Sequence, residues 1–285
     1  MKFANILVHD IPAIALANGN GLRGLAQGDA GFPGMLEELL FAGADLSAVG
    51  ASLAGAPQID PTSVRFLPPL TRPSKVLCVG LNYADHTAEV GLEQPPVPEV
   101  FPRFPSSLIG HEAPIARPPE SDKLDFEAEL VVVIGRRGRR ISKAAALDHV
   151  AGYSIFNDAT LRDYQFRTSQ WAIGKNFDQT GAFGPWLVTP DALPAGGKGL
   201  RIQGRLNGEI VQDAVTDQFI YDIPALIELL SETMTLEPGD VILTGTPAGV
   251  GWSRTSRLMM KAGDVFEAEV EGIGILRNRV IDEPV

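Results

Sequence analysis

Asp125-Phe126-Glu127-Ala128-Glu129-Leu130-Val131-Val132-Val133-Ile134 is the stretch on which the reading of this chain turns. Its first half alternates strictly between acidic and apolar residues. In a strand, residues two apart share a face. Asp125, Glu127 and Glu129 are therefore predicted to point one way, and Phe126, Ala128 and Leu130 the other. The second half is continuously apolar, so the strand runs into a core. Parallel carboxylates at the rim of a core repel each other and lose hydration. A hard divalent cation compensates for both, and Mg²⁺ takes oxygen ligands in an octahedron. Asp158 follows directly on a second apolar strand candidate, residues 153–157, and supplies a third carboxylate. E-x-E alone reads more readily as a solvated sheet face; the apolar continuation and Asp158 bring the two readings level.

Outward from this stretch, further short strands are predicted at 76–79, 241–244, 265–270 and 274–280. One helix is expected from Ser142 as N-cap through His149, ended by Gly152, and another from Asp222 as N-cap to Leu230. Residues 91–119 are proline-rich and read as irregular. Strands outnumber helices and do not alternate regularly with them. That argues for a β-rich α+β fold rather than a doubly wound sheet. Residues 1–70 read as a small N-terminal domain with helices at 35–42 and 46–53. A linker rich in proline (Pro61, Pro68, Pro69, Pro73) leads from it to the main domain, 71–285.

The bulk properties narrow the function classes. The 285 residues carry a formal net charge of −11, which argues against a nucleic-acid coat, because such a surface repels phosphates. An anionic small molecule would need a local cluster of cations. No apolar run approaches the roughly 20 residues of a membrane span, and no secretion signal is recognised at the N-terminus. Cys78 is the single cysteine, which suits a reducing, cytoplasmic setting.

Gly19, Gly21 and Gly24 spell the dinucleotide fingerprint G-x-G-x-x-G. That motif needs a strand before it and a helix opening from its last glycine. The following residues 25–34 are rich in glycine, so a plain turn is the better reading. His86 and Glu89 stand three apart in residues 82–90, which read as a short helical turn or loop. On one turn they face each other, and a carboxylate beside imidazole fixes its tautomer and raises its basicity. An incidental surface ion pair is the plainer alternative for that spacing alone.

Taken together, VGLNYADHTAE (79–89), DFEAELVVVIG (125–135), AGYSIFNDATLRDYQ (151–165), GKNFDQTGAFGPW (174–186), LNGEIVQ (206–212) and LEPGDVILTGTPAGVG (236–251) resemble the fumarylacetoacetate hydrolase family. The resemblance implies a β-rich roll of mixed sheets assembled as a homodimer. It implies metal carboxylates at Glu127, Glu129 and Asp158, holding Mg²⁺ or Mn²⁺. It implies a catalytic His86–Glu89 dyad on a lid and a catalytic lysine at Lys175. Arg162, Gln165 and Thr246 fall on substrate-binding positions, Thr246 on one that binds carboxylate. Many relatives carry a lysine where this chain has Arg103, a planar fork with the same charge. Arg103 is therefore expected to bear on the substrate's tail.

These parts favour a substrate R–CO–CH₂–CO–COO⁻, such as an acylpyruvate or a 2,4-diketo-3-deoxy sugar acid. Lys175, Arg162 and Thr246 would hold its anionic end. His86 would activate a water, and C–C hydrolysis would give pyruvate and a carboxylic acid. Oxaloacetate decarboxylation, or related lyase or isomerase chemistry, is the first alternative. A non-catalytic small-acid-binding protein is the alternative of another class.

Overall fold

The computed structural model describes residues 1–19, 21–89 and 96–284, with positions 18 and 86–88 described by backbone alone. The chain begins with strands β1 (Lys2–Val8), β2 (Ile11–Asn18) and β3 (Gly21–Ala26), then helices α1 (Leu36–Phe41) and α2 (Leu46–Ala54). Short strands β4 (Gln58–Ile59) and β5 (Val64–Phe66) follow, then β6 (Val76–Gly80) and helix α3 (Ala84–Glu89). Next come β7 (Glu99–Arg103), β8 (Leu108–Ile109), β9 (Ile115–Arg117), β10 (Leu124–Asp125) and the central β11 (Ala128–Ile134). β12 (Val150–Asp158), β13 (Thr160–Leu161) and the one-turn helices α4 (Arg162–Gln165) and α5 (Ala172–Lys175) come next. The order closes with β14 (Gly181–Val188), β15 (Arg201–Leu206), β16 (Glu209–Val215), α6 (Ile223–Thr233), β17 (Val241–Leu243), β18 (Val265–Val270) and β19 (Gly274–Asp282).

Among the described residues the larger sheet runs β4-β3-β2-β1-β14-β12-β11-β17-β6-β7, with β5 on β1 and β8 on β14. A second sheet runs β16-β15-β18-β19-β9. Both are mixed: β17 is parallel to β6 and antiparallel to β11, and β9 is parallel to β19. The β-rich α+β roll expected from the sequence is what forms.

β11 lies inside the larger sheet with both faces covered. Leu130, Val132 and Ile134 pack with Phe266, Ala268 and Leu276 of the second sheet. Val131 and Val133 pack on the other side, with Phe3, Ile14 and the α1 residues Leu36 and Leu39. Burial on two faces is why this strand lost its polar alternation after Glu129.

Several local expectations are corrected. The predicted strand over 124–134 is broken after Asp125: β10 pairs with β13, whereas β11 pairs with β12. At the break, the Glu127 amide donates to the Asn157 side chain at 3.0 Å instead of a backbone ladder. Residues 143–149 wind as a 3₁₀ helix, and strand β12 starts at Val150, before Gly152. Ser142 makes no side-chain cap, so the start on which the α-helix reading rested is missing. Residues 58–73 are more than a linker, since β4 pairs with β3 and β5 with β1. The stretch 91–119 contains β7, β8 and β9; residues 90–95 lie outside the described residues. Gly21 and Gly24 stand on β3, which pairs back on β2, so a strand occupies the place a dinucleotide fold gives to a helix. The predicted cap of α6 is present: the Asp222 carboxylate accepts from the Ala225 amide at 3.0 Å.

Candidate active site

Glu127 follows the break before β11, Glu129 lies on β11 and Asp158 ends β12. The register sets Glu129 opposite Phe156 and Ala128 opposite Asn157, and the Asp158 amide donates to Glu127 O at 2.9 Å. One oxygen from each of the three carboxylates lies within 4.8 Å of the others, and all three residues are buried. Hard oxygen donors gathered so closely away from water suit a divalent cation of the Mg²⁺ or Mn²⁺ type. Burial, with Asp158 and Glu127 close by, pushes the Glu129 carboxyl well above the usual carboxylate range. The Gly245 amide opposes this by donating to Glu129 Oε2 at 2.7 Å. Gly245 is in the left-handed region (φ 97°), and an added Cβ would lie 2.9 Å from the Asn82 side chain.

Three cations answer the carboxylates. Lys175, at the end of α5, reaches Glu127 Oε2 and Asp158 Oδ2, each at 2.6 Å. Burial works against its charge, but Asp158 and Glu127 prevail and hold its pKa above that of a free lysine. Arg162 meets Glu127 Oε1 and Asp125 Oδ2, both at 2.7 Å, and donates to Gln165 Oε1 at 2.9 Å. Arg103 approaches Asp158 Oδ1 at 3.0 Å and donates to Ala159 O at 2.8 Å and Thr180 Oγ1 at 3.1 Å.

A small cavity opens over this cluster. Glu127, Glu129, Arg162, Gln165, Lys175 and Thr246 supply its polar wall. Phe101, Phe166 and Trp171 make an aromatic rim. Trp171 lies across Gly80, where an added Cβ would come within 2.4 Å of the indole. Arg103 is not on that wall. Its side chain has no exposed surface, so the expected contact with a substrate tail is replaced by a hold on the back of Asp158. Strand β7 delivers it from behind the site, a placement that its position in the sequence does not reveal.

Thr244 and Thr246 follow β17 and lie along β11. Their hydroxyls donate to Leu130 O at 2.8 Å and Ala128 O at 3.0 Å. Gln212 braces them, donating from Nε2 to Thr246 Oγ1 and Pro247 O, each at 2.8 Å. Sequence reading gave no role to Gln212 or to Asp125, although both lie inside quoted motifs. Asp125 accepts from the amides of Gly251 (2.7 Å) and Trp252 (2.9 Å) as well as from Arg162. Helix α3 begins three residues after Leu81 of the cavity wall. It ends with both Glu89 oxygens 3.0 Å from the Gly249 amide. The His86 side chain lies outside the described residues, so its distance to Glu89 and to the triad is not part of this geometry.

Residues 75–281 match the family described as fumarylacetoacetate (FAA) hydrolase C-terminal. Mitochondrial oxaloacetate tautomerase FAHD2A of Homo sapiens is 41% identical over 268 residues, covering 93% of this chain and 85% of that protein. A fumarylacetoacetate hydrolase from Exiguobacterium antarcticum superposes with a TM-score of 0.86 at 35% identity, covering 99% of this chain and 100% of the other. A 5-carboxymethyl-2-hydroxymuconate delta-isomerase from Mycobacterium smegmatis does so with a TM-score of 0.78 at 33% identity over the full length of both. With the quoted motifs, the roll and the three-carboxylate cluster all in place, the chain belongs to the fumarylacetoacetate hydrolase family.

Proposed function

We propose that this protein is a metal-dependent tautomerase that interconverts the enol and keto forms of a small 2-oxo dicarboxylic acid of the oxaloacetate type. The carrying observation is the cavity wall, where Arg162, Lys175 and Gln165 stand beside a buried carboxylate triad. Donors and cations next to a divalent-ion site suit an acid that has a 2-oxo group and two carboxylates. A relative 41% identical over 93% of this chain is named for oxaloacetate tautomerisation, which turns the reading away from the hydrolysis favoured by the sequence alone.

Glu127, Glu129 and Asp158 would hold Mg²⁺, which when bound supplies a Lewis acid that favours the enolate. Arg162 is held by Asp125 and Glu127 and so presents a fixed guanidinium to a carboxylate. Going from enol to keto, one proton leaves the C2 hydroxyl and one joins C3. No water is consumed and no C–C bond breaks. His86 is assigned the transfer at C3, and Glu89 keeps α3 seated on the Gly249 loop. The aromatic rim of Phe101, Phe166 and Trp171 favours one second reading, hydrolysis of an acylpyruvate with a planar tail.

The deciding assay adds enol-oxaloacetate to the protein with Mg²⁺ and follows loss of enol absorbance and appearance of pyruvate together. Fast absorbance loss without pyruvate, abolished by chelator and strongly slowed in His86→Ala, is the expected result. Pyruvate released in step with absorbance loss would make the enzyme a decarboxylase. Faster consumption of an acylpyruvate than of the enol would return the hydrolase.

A further inference from the structure

Gly80 ends β6, and its backbone lies outside the left-handed region that would call for glycine. What bars a side chain there is another side chain. The three nearest neighbours of an added Cβ would all be atoms of the Trp171 indole, at 2.4, 3.2 and 3.4 Å. The register of β6 and β7 sets Phe101 opposite Cys78, so Phe101 and position 80 share a face of the sheet. The indole therefore fills, beside Phe101, the room that a side chain on residue 80 would take. Phe101 meets it edge-on, with 5.6 Å between ring centroids and 62° between planes.

Trp171 and Lys175 stand at the two ends of the single turn of α5, and the Gly174 amide donates to Trp171 O at 3.0 Å across that turn. Lys175 Nζ lies 5.2 Å from the centre of the Phe101 ring, so Phe101 touches both the ammonium and the indole. The turn is pressed on α4, where a Cβ on Gly174 would come within 2.4 Å of the Gln165 amide nitrogen. Gly80, Phe101, Trp171 and Lys175 all line the cavity. The cavity thus has a polar end, with Lys175, Arg162 and the carboxylates, and an apolar end. At the apolar end the indole runs from α5 to β6 and closes the way between them.

We infer that Trp171 is a specificity-determining residue: by closing the apolar end against Gly80 it admits 2-oxo acids with a short tail and turns away those with a long one. This rests on the reading of the site as one for a 2-oxo acid and adds to it a limit on length.

Calorimetry on the Mg²⁺-loaded protein tests it with oxalate, which has no tail, and with 2-oxobutanoate, 2-oxohexanoate and 2-oxooctanoate, which share a head and differ in tail. The wild type should bind 2-oxobutanoate at least about tenfold more tightly than 2-oxooctanoate, the size of the penalty for overfilling a packed site. In Trp171→Ala that preference should disappear or reverse, while oxalate affinity stays within about twofold of wild type. Trp171→Phe keeps a ring against Phe101 and should fall between the two; it takes over the test should Trp171→Ala fail to fold by thermal melting. Gly80→Ala completes a double-mutant cycle. Alone it forces the indole to shift and should change the tail preference at least about threefold. In the Trp171→Ala background, with the indole gone, it should change it less than about twofold. A wild type that binds all three tails alike, or a Trp171→Ala that keeps the wild-type preference, overturns the proposal. So does a loss of oxalate in step with the longer acids, since the substitution then acts on the polar end. Binding of none of the four by wild-type protein, oxalate included, fells the 2-oxo acid reading itself and the proposal with it.

Discussion

Asp125 ties several parts of the site together. It joins β10, Arg162 and the amides of Gly251 and Trp252, and it has no exposed surface. Asp125→Ala leaves Arg162 with Glu127 and Gln165 in a dry setting, and breaking a buried pair typically costs about 3–5 kcal/mol. Denaturant unfolding should show a loss of that order, and in whatever protein folds KM should rise more than kcat falls. At Glu129 the expectation differs. Glu129→Gln removes charge but keeps shape, so the melting temperature should hold or rise while calorimetry shows Mg²⁺ affinity lowered about tenfold or more, in keeping with the sensitivity of metal sites. Unchanged Mg²⁺ binding would strike Glu129 from the ligand set. The triad was legible in the sequence because alternation and a strand end place carboxylates by geometry. Arg103 was misread because its role depends on a strand partner that no local pattern names.

At the scale of elements, α3 is held to the cavity wall at two points. Asn82 donates to Thr244 O at 2.8 Å just before the helix, and Glu89 closes on Gly249 at its end. Glu89 stands at a helix C-terminus, where a negative charge is unfavourable, and the Gly249 amide offsets this. Glu89→Ala should lower kcat while Mg²⁺ affinity, read by calorimetry, stays within about twofold, since the substitution releases the Gly249 loop. A parallel loss of metal affinity would place Glu89 in the metal's own support instead. Which elements exist was largely visible from apolar runs and caps, as at α6, where Asp222 announces the helix. The N-terminal strands were not. β1 to β3 lack a strict polar alternation because Ala4, Ile6, Ala13 and Ala15 are buried in a small cluster of their own. The set joins the main sheet through β1 on β14, a contact between positions nearly two hundred residues apart, such as Lys2 and Val188.

Across the whole molecule, the two sheets meet near His111. Its ring stands edge-on to Phe66, 5.2 Å between centroids, and its Nδ1 accepts from the Arg277 amide at 3.1 Å. Burial lowers its pKa, and Arg277 adds to this against the pull of Glu112. A histidine depressed in the folded state binds fewer protons there than in the unfolded chain. Its cost to stability is absent well above the free-histidine value of about 6.5 and grows as pH falls below it. Unfolding free energy should therefore decline from pH 7 towards pH 5. In His111→Phe that part of the slope should vanish; an identical slope would assign it elsewhere.

Around the triad, four carboxylates (Asp125, Glu127, Glu129, Asp158) face three cations (Arg103, Arg162, Lys175). The three cations leave one carboxylate charge unanswered, so the cluster by itself has nothing to attract a dianion. A bound dication would tip the interior to positive. The order of loading is thus written into the charge count, metal before acid. Linkage then requires that oxalate tighten Mg²⁺ by the same factor as Mg²⁺ tightens oxalate, so the proposed substrate would find the cluster electrically closed until an ion arrives.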